Sequence, residues 1–94
     1  MLTIFIEYKI REEKRADYLR QIAQMPHRLQ KWDVRQYRCF EGADQPNLFV
    51  ETFEVESAET YHQIKAWRLA DGDFCHCVAG GAAKVHVWAF RPVD

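Results

Sequence analysis

Hydrophobic residues recur at every second position near both ends of the chain and in two central stretches, and at every third or fourth position in the segments between. In Leu2 to Ile10 (LTIFIEYKI), Ile4, Ile6, Tyr8 and Ile10 share one parity, while Phe5, Glu7 and Lys9 share the other. Alternate strand side chains point to opposite faces, so this stretch predicts a strand with two different surroundings. From Glu12 to about Trp32 the period lengthens, and Ala16, Leu19, Ile22, Ala23 and Leu29 predict the inner stripe of an amphipathic helix. Glu12 and Glu13 at its start and Arg28 and Lys31 at its end suit the helix dipole. Pro26 kinks this helix or ends its first segment near Met25.

Val34 to Glu41 reads as a second strand, Gly42 to Asn47 as a hairpin connection and Leu48 to Val55 (LFVETFEV) as the antiparallel partner. Ser57 is placed to cap a second helix reaching about Leu69, with Ala58, Tyr61 and Ile64 as its buried stripe. Asp71, Gly72 and Asp73 break it, and a short helix follows from Phe74 to about Val78. Gly80 and Gly81 then turn the chain into a closing strand, Lys84 to Phe90 (KVHVWAF).

The order strand, helix, strand, strand, helix, strand is the ferredoxin-like βαββαβ sandwich, an α+β fold. Its four-stranded antiparallel sheet carries both helices on one face. If the aliphatic parity packs under the helices, that face holds Ile4, Ile6, Tyr8, Val50, Thr52, Val85, Val87 and Ala89. The other face then presents Phe5, Glu7, Phe49, Glu51, Phe53, His86, Trp88 and Phe90. So much aromatic surface is more than a soluble monomer leaves in water. Pairing two sheets face to face hides it, and a homodimer is the expectation.

Composition narrows the function classes. The 94 residues suffice for one domain, 1–94. A net charge of -1, with Arg11, Lys14 and Arg15 interleaved with Glu12, Glu13 and Asp17, offers no basic stripe for nucleic acid. No apolar run is long enough to span a bilayer, and the chain enters its first strand with no signal-peptide h-region, so no membrane partner and a cytoplasmic location are expected. Cys39, Cys75 and Cys77 are odd in number, and the last two are too close for an ordinary bridge, which argues for reduced thiols. No nucleophile elbow, phosphate-cradling loop or Ser-His-Asp order occurs.

With these elements in place the chain resembles the dimeric α/β-barrel superfamily, in particular its antibiotic-biosynthesis-monooxygenase-like branch. The likeness rests on element order, on LTIFIEYKI, on NLFVETFEVESAETYHQIK, on SAETYHQI followed by DGDFCHC, and on KVHVWAF. It implies two subunits joining their sheets into a barrel, each with a cavity between sheet and helices or at the sheet face. Members include cofactor-independent oxygenases of phenols and quinols, haem-degrading monooxygenases, isomerases of small ring compounds and proteins without assigned activity, so the fold alone selects no activity.

Three polar residues are placed to do chemistry. Glu7, Glu51 and His86 would converge on the aromatic face, where an apolar, dimer-covered setting raises a carboxyl toward the range useful for proton transfer. Glu7 or Glu51 would serve as base with His86 as partner, and Phe5, Phe53, Trp88 and Trp67 would hold a small planar ligand. The same groups would equally serve to pair with Lys9, Arg35 or Arg38 across an interface. Two carboxylates and an imidazole also make a facial triad for a divalent metal, but residues from three separate strands carry no diagnostic spacing, and no metal is expected.

Cys75-His76-Cys77 lacks a second ligand pair at zinc spacing, and the three cysteines read as small buried hydrophobes. The resemblance further implies a haem alternative, with Trp67 against a porphyrin and His76 as ligand. The haem-degrading members carry an Asn on the first strand where this chain offers Glu7. The leading expectation is a cofactor-independent monooxygenase of a small phenol or quinol, beside a haem-binding protein and a non-catalytic interaction module. The identity of the substrate is not encoded in any motif.

Overall fold

The structure, a computed structural model, describes all 94 residues. Strands β1 (Leu2–Lys9), β2 (Arg35–Glu41), β3 (Leu48–Val55) and β4 (His86–Phe90) form one antiparallel sheet in the order β2-β3-β1-β4. Helices α1 (Arg15–Ala23), α2 (Met25–Arg28), α3 (Ala58–Leu69) and α4 (Gly72–Cys77) cover one face, giving the predicted α+β arrangement. No helix is long and apolar enough to cross a membrane.

Local chemistry accounts for most boundaries. The Ser57 side chain accepts the Thr60 N–H at 3.2 Å, which starts α3 where the capping pattern predicts. Asp71 does more than break α3, because its carboxylate accepts the Phe74 N–H and starts α4 at Gly72, two residues earlier than the expected Phe74. The long first helix divides as Pro26 requires. α1 ends at Ala23, and Pro26 sits in the first turn of α2, where a missing N–H breaks no hydrogen bond. A 3-10 turn over Gly81–Lys84 precedes β4, so the closing strand begins at His86.

Two expectations about side-chain direction are overturned. On the first helix the buried positions are Tyr18, Met25 and Leu29, whereas Ala16, Leu19 and Ala23 are exposed. Leu29 is buried and Ile22 half-buried as expected, but within α1 Tyr18 takes the inward place expected of Leu19, and its hydroxyl meets another buried hydroxyl. On β3 the parity is reversed: Phe49, Glu51, Phe53 and Val55 lie on the helix side, beside Ile4, Ile6 and Tyr8 of β1. Two phenylalanines and a valine bury far more apolar area there than Leu48, Val50, Thr52 and Glu54 would. Glu51 is carried in with them.

The open face, away from the helices, holds Phe5, Glu7, Lys9, Leu48, Val50, Phe40, His86, Trp88 and Phe90. Phe40, Trp88 and Phe90 are each roughly half exposed. At the edge strand β2 a bulge at Gln36, with φ of 58°, inserts one extra residue between Arg35 and Arg38, so that Arg35 pairs with Glu54 and Arg38 with Thr52. Cys39, directly across from Glu51, and Tyr37 both face the helices.

Candidate functional site

The sheet separates the polar residues into two sites of opposite character. On the helix side the Glu51 carboxylate is fully buried and accepts four hydrogen bonds. Arg68 donates from Nη1 to Oε1 and from Nη2 to Oε2, both at 2.7 Å. Tyr8 donates to Oε2 at 2.7 Å and Tyr37 to Oε1 at 2.8 Å. Arg68 reaches this point because it follows Ile64 by one helical turn on the inner stripe of α3, and its guanidinium lies over the Phe74 ring at 4.5 Å.

Burial by itself would raise the Glu51 carboxyl, but the Arg68 charge and the hydrogen bonds from Arg68, Tyr8 and Tyr37 prevail and hold it below the usual carboxylate range. Burial, reinforced by the Glu51 charge, pushes the Tyr8 and Tyr37 phenols up, and burial does the same to Tyr18. Glu51 therefore stays ionised and saturated with donors. It is an electrostatic anchor of the core and has no lone pair free to take a proton.

The donors order the network around it. Because the single Tyr8 proton goes to Glu51, the 2.6 Å contact between the Tyr8 and Tyr18 hydroxyls is a bond in which Tyr18 donates. The Cys39 thiol, 3.6 Å from the Tyr18 oxygen, is left as donor to it. A directed chain runs from the edge strand to the buried carboxylate, and Arg68 Nε is the one buried side-chain polar atom without a partner.

On the open face Glu7 and His86 are cross-strand neighbours on β1 and β4. They line a cleft of about 440 Å³ together with Tyr8, Lys9, Leu48, Ala79, Gly80 and Lys84. One wall is fixed by backbone bonds, since Ala79 N–H donates to the Lys9 carbonyl and Arg11 N–H to that of Cys77, both at 2.8 Å. The His86 and Trp88 rings lie nearly parallel, 13° apart with centroids at 5.6 Å, and Phe5 meets Phe90 edge-on at 5.2 Å. Neither the Glu7 carboxylate nor the His86 ring makes an ion pair or a side-chain hydrogen bond within the chain, so both are available to a ligand.

Glu7, His86, Phe5 and Trp88 are thus brought together as the sequence suggests. Glu51 and Phe53 are not, because both lie across the sheet, Phe53 stacked on Tyr37 at 6.0 Å. This splits the expected convergence of Glu7, Glu51 and His86, and no three His, Cys, Asp or Glu side chains gather in a metal-holding group. Trp67 packs against Trp32 at 5.0 Å, with the Arg28 guanidinium 4.5 Å from its ring. His76 is exposed on α4 and, like Trp67, lines none of the clefts.

Of the thiols, Cys77 is buried, Cys75 is half-buried and Cys39 is exposed on the edge strand, which corrects the reading of all three as buried hydrophobes. The residues the sequence did not mark are Arg68, Tyr18 and Tyr37 in the core and Gly80 and Lys84 at the cleft, where Lys9 is expected only as an interface partner. Only Arg68 carried a signal, its place on the same helical stripe as Ile64.

No family model and no curated protein matches the sequence. Solved structures do match its shape. A candidate antibiotic biosynthesis monooxygenase from Bordetella bronchiseptica superposes with a TM-score of 0.73 at 13% identity, over 99% of this chain and 97% of that one. An antibiotic biosynthesis monooxygenase gives 0.71 at 17% identity, with both chains fully covered. A conserved protein from Methanosarcina mazei Go1 gives 0.73 at 11% identity, over 96% of this chain and 90% of that one. The chain has the ferredoxin-like fold of the antibiotic-biosynthesis-monooxygenase-like structures, as its element order suggested.

Proposed function

We propose that this chain binds a small planar aromatic molecule in the Glu7–His86 cleft, acts on it as a cofactor-independent monooxygenase, and works as a cytoplasmic homodimer closed through the open sheet face. The observation that carries the reading is the unengaged Glu7 and His86 pair beside half-exposed Phe40, Trp88 and Phe90. A second sheet laid on this face would bury those aromatics and exclude water from the cleft, where the charges gain strength.

The chemistry divides among these residues. The His86 ring, backed by Trp88, offers a face for a planar ring, and Glu7 takes the phenolic proton, directly or through His86. The resulting phenolate is electron-rich enough for a ring carbon to bond to dioxygen. Cleavage of the O–O bond then leaves one oxygen as a new carbonyl and releases the other as water, with the substrate supplying all the electrons. Three unbridged thiols suit the reducing cytoplasm.

An oxygen electrode with a panel of quinols and catechols tests the activity. Uptake is expected with at least one of them, falling at least about 100-fold in Glu7→Gln and His86→Ala. Absence of uptake across the panel rejects the enzymatic reading. A second, non-catalytic reading draws support from Arg38, which lies on the open face with no acidic partner and its guanidinium 5.0 Å from the Phe40 ring. In that case Glu7 of one subunit meets Arg38 of the other and sets the register of an interaction module. Ligand binding without turnover, or a dimer without ligand binding, distinguishes the two.

A further inference from the structure

The cleft has a charge pattern that bears on which aromatic enters it. Arg11, Arg15, Arg20, Arg28, Arg35 and Arg68 are all held in ion pairs with carboxylates of the chain. None of the lysines is ion-paired, and two of them, Lys9 and Lys84, line the same cleft as His86, with Glu7 as its only acid. The backbone is shaped to keep Lys84 there. Gly80 has a φ of +85°, and a Cβ on it would come within 2.4 Å of Lys84 Cγ, so the lysine stem lies across the bare glycine backbone. The hydrogen bond from Ala79 N–H to the Lys9 carbonyl ties this loop to the strand that carries the other lysine.

We propose that the ligand of this cleft is an anionic aromatic, a hydroxylated ring bearing a carboxylate, held through its carboxylate by Lys9 and Lys84. The ring lies against His86, which is backed by Trp88, with Leu48 as the apolar wall opposite, and its hydroxyl faces Glu7. This rests on the reading of the cleft as the ligand site and adds the substrate class to it. Two lysines outnumber the single acid of the cleft and are ion-paired with none, and a bound carboxylate balances that excess positive charge while forming charge-assisted hydrogen bonds.

The test is isothermal titration of the full chain with 4-hydroxybenzoate, its neutral counterpart 4-hydroxybenzamide, and catechol. The benzoate is expected to bind about tenfold or more tighter than the amide at low salt. That advantage should shrink at about 0.5 M salt. It should also fall in Lys9→Met and Lys84→Met, while amide binding stays unchanged and circular dichroism reports an intact fold. Equal binding of benzoate and amide overturns the anionic class and leaves the ligand site standing. A benzoate preference indifferent to both lysine variants places the anion elsewhere and also overturns it. Failure of all three probes to bind overturns both the class and the site.

Discussion

Glu7 and Glu51 sit on adjacent strands one step out of phase. Ile6 pairs with Glu51, and Glu7 pairs with Val50, so the two carboxylates are close in the sheet yet point to opposite faces. Glu51 meets Arg68 and two phenols, and all its acceptor capacity is used. Glu7 meets a cleft and no fixed partner. The contrast shows that burial alone does not make a carboxylate a base. What matters is whether the surroundings leave it a lone pair and a reason to accept a proton.

The largest expected effect breaks the helix-side half of this pair. Glu51→Gln leaves Arg68 as an uncompensated buried charge, at a cost of about 3–5 kcal/mol. In a chain this size, that lowers the thermal midpoint by more than about 10 °C. Glu7→Gln, at a site with no partner to lose, is expected to stay within about 0.5 kcal/mol in the same urea or thermal melts. Combining Glu51→Leu with Arg68→Met should recover part of the loss, because it removes both charges together. Equal destabilisation by Glu7→Gln and Glu51→Gln would erase the distinction between the faces.

The open half is tested through association. Trp88 and Phe90 carry the largest exposed apolar area on that face. Replacing both with Glu places charge where two sheets would meet, and a central Trp that acts as an interface hot spot contributes about 2 kcal/mol or more. Light scattering should show the unmodified chain as a dimer at micromolar concentration and the double variant as a monomer with an unchanged melting curve at high dilution. A monomer in both cases rejects the dimer.

Acid sharpens the same comparison. The folded Glu51 carboxyl is held below its unfolded value, so its contribution is complete above the unfolded pKa of about 4.3 and is lost as pH falls through the lower, folded value. Glu41 has the same sign, since the hydrogen bond from Arg15 holds its carboxyl down at about 2. Acid melts of the unmodified chain should therefore steepen below about pH 4. The part due to Glu51 should disappear in the Glu51→Leu, Arg68→Met double variant. The raised phenols of Tyr8, Tyr18 and Tyr37 act in the opposite direction, with stability intact below about pH 10 and lost above it.

Much of this was legible in the chain. Alternation in LTIFIEYKI and KVHVWAF, the Ser57 cap and the Pro26 break are local signals, and the structure follows them. β3 misled because both of its parities are apolar at several positions, Leu48 and Val50 against Phe49 and Phe53, so alternation gives a strand without saying which face is inward. The Glu51 site was hidden for a second reason. Its partner Arg68 comes from a helix 17 residues on, and its two phenols from β1 and β2, with Tyr18 of α1 behind Tyr8. Only the packing of helices on sheet brings them together.

The smallest effect tests the direction of the tyrosine chain. If Tyr8 gives its proton to Glu51, then Tyr37→Phe removes a donor to an ionised carboxylate, whereas Tyr18→Phe removes only a neutral donor to Tyr8. The first should cost about 1.5–3 kcal/mol and the second about 0.5–1.5 kcal/mol. Cys39→Ala, at the outer end where sulfur makes a long 3.6 Å contact, should cost less than either. The order Tyr37, Tyr18, Cys39 in urea melts supports a chain whose polarity is set by the anion. A Tyr18→Phe cost equal to that of Tyr37→Phe would mean that Tyr18 also senses the carboxylate directly, and the buried side of the sheet would then be a shared hydrogen-bond cluster with no fixed direction.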